Sequence, residues 1–145
     1  MAIEIEEMGP VDWLVVEFPG KEPTGELMPP LLDLVDRRLI RILDAMLFVK
    51  DADGSVVTLS TEDLDPDQFG DLGDLAGASS GLIHDDDALA VAEVLEPNSR
   101  ALMLVYENVW AAPFAVAMRN AGGQLVDSGR IPVQAILARL DELEA

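Results

Sequence analysis

The 145-residue chain contains no cysteine. That excludes a disulfide, a thiolate metal site and a cysteine nucleophile, and it agrees with a reducing compartment. Histidine occurs once, at His84. Aromatic residues make up only 5% of the chain, so the core has to be built from Leu, Val, Ile, Ala and Met. Cations are scarce: nine Lys plus Arg stand against 28 acids, for a net charge of −19. Such a field repels nucleic-acid phosphate and anionic lipid, so neither nucleic acid nor membrane is an expected partner. It attracts cations or a basic protein partner, although an acidic surface that keeps proteins apart is the plainer reading. No run approaches the ~18 apolar residues that span a bilayer. Residues 1–8 carry Glu4, Glu6 and Glu7 and lack the basic start and apolar block of a signal peptide. A cytoplasmic location is the expectation that follows.

What is present in quantity is apolar side chain, half of all residues. That is enough for one real core, and the length suits one domain over residues 1–145. Charge is unevenly spread along it. Residues 51–99 hold 13 acids and no Lys or Arg. The densest part, Glu62-Asp63-Leu64-Asp65-Pro66-Asp67, is followed by glycine-punctuated acids and by Gly77-Ala78-Ser79-Ser80-Gly81. Residues 60–84 therefore read as an acidic, flexible excursion between two structured halves. Residues 1–10 read as an N-terminal arm.

Trp13-Leu14-Val15-Val16-Glu17-Phe18 is a nearly continuous apolar run, which suits a strand covered on both sides. Met28, Leu31, Leu32, Val35, Leu39 and Ile42 recur at helical spacing and predict a helix from Pro29 or Pro30 to Leu43. A strand over 45–50, the Asp53-Gly54 turn and a strand over 55–59 form a hairpin. Asp85, Asp86 and Asp87 start a short helix over 86–95. Residues 101–106 give a second continuous apolar strand. A helix over 108–120 stops at Gly122-Gly123. A polar edge strand is expected over 124–130. The last helix opens at Pro132, with Val133, Ile136, Leu137 and Leu140 along one face.

This order contains two β-α-β units whose first strands are the most apolar ones. The expected fold class is α+β. The expected architecture is a ferredoxin-like sandwich: a mixed or antiparallel sheet with those two strands side by side in its centre, and helices on one face.

The chain also resembles two bacterial families of unknown function. The nearer is an actinobacterial group of small acidic proteins. The residues that carry the likeness are Gly9-Pro10-Val11-Asp12, Arg41-Ile42-Leu43-Asp44 with Lys50-Asp51, and Leu82-Ile83-His84-Asp85-Asp86-Asp87. Leu95-Glu96-Pro97-Asn98-Ser99 and Tyr106-Glu107-Asn108-Val109-Trp110 complete them. The more distant family is similar in the later half and carries a Gly-rich apolar insert where this chain has its acidic excursion. Glu62 to Asp74 is too charged for any membrane role to transfer. The resemblance implies the same strand-helix-strand fold and no activity.

Candidate sites are weak. Asp51-Ala52-Asp53-Gly54-Ser55 with Glu62 is superficially like a calcium loop, but Val56 stands where that loop needs glycine, and a hairpin turn is the better reading. Asp63, Asp65, Asp67, Asp71 and Asp74 read as a solvated loop rather than a cation cage. His84 with Asp85, Asp86 and Asp87 is the one ligand site to consider, and a helix start explains those aspartates as well. A nucleophile assisted by His84 through Ser79 or Ser80 lacks any nucleophile-elbow pattern. Glu17 and Glu107 should lie at opposite ends of an antiparallel pair and so not form a carboxylate couple. No catalytic, cofactor-binding or metal-binding residue is assigned.

The expected function is a non-enzymatic association module, a homo-oligomer with a dimer favoured, in a scaffolding or stress-linked regulatory role. Candidate interface residues are Ile3 and Ile5 of the arm, the basic group Arg37, Arg38 and Arg41, and the pair Trp110 and Phe114. The alternative is a module that binds a small ligand or a divalent cation through the acidic excursion. A hydrolase-like enzyme is the third reading, and it requires His84 in a closed pocket.

Overall fold

Four strands form one antiparallel sheet in the computed structural model of the chain, which describes residues 7–20, 28–60 and 81–144. The elements follow in the order β1 (Val11–Pro19), α1 (Met28–Asp36), β2 (Ile40–Lys50), β3 (Val56–Ser60) and α2 (Asp85–Val94). Then come β4 (Ser99–Asn108), a 3-10 turn at Val109–Ala111, α3 (Ala112–Asn120) and α4 (Val133–Glu144). The strand order is β1-β4-β2-β3, so β2 and β4 are central. The expected N-terminal arm through residue 6, and residues 61–80 of the acidic excursion, lie outside the described residues.

Alternation along the central strands splits the core into two layers. Ala45, Leu47, Leu102, Leu104 and Tyr106 point to one face, where Leu31, Leu32 and Val35 of α1 cover them. Phe48, Ala101 and Met103 point to the other, where Val91, Leu95 and Ile83 cover them. Phe48 has no exposed surface. Strands buried on both sides carry continuous apolar runs, which is why residues 45–49 and 101–105 show no polar alternation.

This arrangement corrects the ferredoxin-like expectation at three points. The two apolar strands of residues 13–18 and 101–106 are indeed hydrogen-bonded neighbours, with Leu14 opposite Leu104. However, β1 is an edge strand, with Trp13 68% exposed. The helices do not share a face: α1 and α2 pack on opposite sides of the sheet. Residues 124–130 form no strand. Their polar mixture offers no apolar face to bury, and Val126 is 92% exposed. What holds is an α+β chain with, among the described residues, a four-stranded antiparallel sheet and four helices.

The first helix is also shorter than its apolar spacing predicts. It ends at Asp36, and Leu39 donates back to the Leu34 carbonyl while Arg38 donates to Val35. That six-to-one and five-to-two pairing is a Schellman stop, with Arg38 in the left-handed conformation at φ 59°. The β-branched Ile40 and Ile42 then join β2 against β4, with Leu43 absorbed in a bulge. Strand pairing thus overrides a helical period that runs through Leu39 and Ile42. By contrast, α3 stops where expected. Gly122, at φ 82°, donates to Arg119, and Gly123 donates to Met118.

Candidate functional site

Three buried or half-buried carboxylates pin neighbouring segments of chain to the sheet. Asp44 accepts from the backbone N–H of Ala45 and of Ile83, both at 2.9 Å, and so fixes the chain entering α2. Glu17 accepts from the Glu96 N–H at 2.7 Å and from the Ser99 hydroxyl at 3.1 Å. Glu107, only 3% exposed, accepts from the Gly9 N–H at 2.8 Å and pairs with the Arg41 guanidinium. A Cβ at Gly9 would lie 2.3 Å from the Asn108 carbonyl oxygen, so this contact requires glycine. Gly9, Asp44, Glu96, Ser99 and Glu107 all belong to the stretches that carry the family likeness in the sequence. Their shared role is structural. Glu17 and Glu107 sit at opposite ends of the β1–β4 pair and form no couple, as the sequence predicts.

The other candidates are placed as follows. The segment 51–55 is a hairpin turn between β2 and β3, closed by Asp51 N–H to Ser55 O at 2.8 Å. Asp53 accepts the Ser55 N–H at 2.9 Å, and these hydrogen bonds hold its carboxyl below the ordinary 3.8. His84 is the N-cap of α2, and Asp87 returns to the His84 N–H at 3.0 Å. The three aspartates occupy the first turn, at the positive end of the helix. The imidazole is exposed at the surface rather than held in a closed pocket. No cluster of three or more His, Asp or Glu able to hold a metal occurs among the described residues. No helix among them is long and apolar enough to cross a membrane.

The basic group is divided rather than gathered on one helix face. Arg37 and Arg38 lie in the turn after α1, with Arg37 paired to Asp33 at 3.4 Å. Arg41 is on β2 and belongs to Glu107. Trp110 and Phe114 are not core residues: they are 66% and 77% exposed. Ile3 and Ile5 lie outside the described residues.

What the structure brings together is apolar surface. A groove of about 400 Å³ opens on the α1 side of the sheet, lined by Leu14, Leu31, Leu34, Leu39 and Trp110. Arg130 closes one rim of it. Its guanidinium donates to the Tyr106 hydroxyl and lies 3.1 Å from the Asp12 carboxylate. These bonds fasten the chain between α3 and α4 to the sheet. Two residues later the chain enters α4, and no residue of α4 is buried. Val133, Ile136, Leu137, Leu140 and Leu143 are all exposed. Their spacing is that of a helix built to pack against something. The sequence identifies the stripe through its period of 3.6. It gives no sign that the chain's own sheet leaves that stripe bare.

A second apolar groove, of about 440 Å³, lies on the opposite face between β1 and α2, with Trp13, Leu82 and Val91 in its walls. A model of a family of unknown function, DUF6325, matches residues 7–145. No curated protein and no solved structure matches the chain.

Proposed function

The chain belongs to the DUF6325 family, and from that premise we propose that it is a non-enzymatic association module that works as a homodimer. One observation carries this reading: α4 presents five exposed apolar side chains in a single stripe and buries none of them. Burial of apolar surface is worth roughly 25 cal/mol per Å², so a stripe of this kind favours any state that covers it. Trp110 and Phe114 extend the apolar surface near the turn after β4, and aromatics contribute disproportionately to interfaces. A scaffolding role follows from such chemistry, because it needs a surface and no reactive group.

Light scattering on a sizing column tests the reading at micromolar concentration. The expected mass is about twice the 15.6 kDa chain. A strict monomer throughout that range overturns it.

A further inference from the structure

We propose that two copies exchange their C-terminal arms, with α4 of each lying in the groove between α1 and the sheet of the other. This rests on the dimer reading above and names its contact.

The first support is the position of the arm's root. Arg130 is both a wall of the groove and, among the described residues, the last one with a hydrogen bond to the body, through Tyr106 and Asp12. Only Ile131 and Pro132 separate it from α4, yet the helix contributes no residue to the groove's lining and buries none of its side chains. Proline fixes the chain direction there, because its ring restrains both itself and the residue before it. The arm therefore starts beside an apolar groove that its own helix does not line. An element held in this way is the usual starting point for exchange between identical chains.

The second support is fit. The 12 residues of α4 make a rod of about 18 Å with one apolar side. The groove offers Leu34, Leu39 and Trp110 as apolar walls. Exchange covers one helix face and one groove on each protomer. That doubling is how so small a chain reaches the roughly 800 Å² per partner of a stable dimer.

The third support is charge. Asp141, Glu142 and Glu144 crowd the C-terminal end of α4, and its last turn has no basic residue. Carboxylates at the negative end of a helix are unfavourable in isolation. A cationic surface relieves both the side chains and the orphan carbonyls. In this acidic chain such a surface is rare; the turn that joins Leu34 and Leu39, two walls of the groove, carries Arg37 and Arg38 in sequence, with Arg37 also paired to Asp33 of α1. An acidic, apolar helix tip and an arginine-bearing turn that joins two walls of the groove are therefore parts of the same molecule.

Because the chain has no cysteine, introduced thiols report contacts without background. Full-length chains carrying Leu34→Cys alone and Leu137→Cys alone are mixed, oxidised mildly and analysed by peptide mass. The expected product is an interchain disulfide between positions 34 and 137. A second measurement uses Leu137→Asp with Leu140→Asp, exposed positions whose change leaves the folded body intact. It should weaken dimerisation by roughly tenfold or more with an unchanged circular dichroism spectrum. A doubly substituted chain that closes on itself, 34 to 137, means that its own arm fills the groove and overturns the exchange. In a proven dimer, a missing 34-to-137 product, or disulfides only between two chains that both carry Leu137→Cys, overturns the exchange and leaves the dimer reading standing. A monomer that yields no interchain product overturns both.

Discussion

Glu107 and Arg41 illustrate how a buried charge is held in so acidic a chain. The carboxylate is almost fully covered, while the Arg41 side chain is 38% exposed. Water therefore reaches the cation and tempers the desolvation cost. Truncating Glu107 leaves Arg41 and the Gly9 N–H without their acceptor. Glu107→Ala is expected to lower stability by about 2–4 kcal/mol, read from urea unfolding. A loss within experimental scatter would mean the pair contributes nothing. Asp53 acts by the same chemistry at the surface. Its folded carboxyl titrates below the ordinary 3.8 because the Ser55 N–H stabilises the charged form. The sign follows: its contribution is present above the unfolded value and is lost as pH falls through the folded one. Asp53→Asn keeps an acceptor and removes the titration. The variant should be slightly less stable than the parent at neutral pH, with the gap closing in acid. A gap that widens in acid would reverse the sign of this argument.

At the scale of elements, α4 and α2 are opposites. α2 buries Val91 against the sheet, and its C-terminal carbonyls at Ala92 and Leu95 accept from the Lys50 ammonium at 2.9 Å. That cation satisfies orphan carbonyls and complements the helix dipole. α4 has no such tie. Ending the chain after Arg130 should therefore leave the circular dichroism melt of the remaining body within a few degrees of a dissociated parent, because no buried residue is lost. A collapse of the melt would place α4 in the fold of its own chain. The strand-forming run after α1 shows the converse dependence. Residues 40–43 continue a helical stripe in sequence, and the neighbouring β4 makes them a strand.

The whole molecule carries −19, and two such copies repel at long range. Rim pairs involving Arg37 or Arg38 would set the register of a dimer more than its strength, since exposed ion pairs contribute about 0–1 kcal/mol. Net repulsion should dominate the salt response. Raising salt from about 20 mM to about 300 mM shortens the Debye length from near 20 Å to under 10 Å. The dimer is expected to tighten over that range in sedimentation equilibrium. Weakening with salt would show instead that local ion pairs control assembly.

The sequence by itself determined the presence of an α+β core, the two neighbouring apolar strands, the hairpin at Asp53-Gly54, the helix start at the Asp85-Asp86-Asp87 triple and the helix stop at Gly122-Gly123. Each follows from local chemistry: a period of hydrophobicity, a cap, a residue suited to positive φ. Tertiary structure decided where β1 sits, which faces α1 and α2 cover, and that residues 124–130 add no strand to the sheet. It also decided that Trp110, Phe114 and the α4 stripe are surface. A hydrophobic period states that a face must be buried and is silent about what buries it. In this protein that second fact depends on chain packing, because α1 and α2 each cover part of one sheet face and α4 buries none of its residues on either.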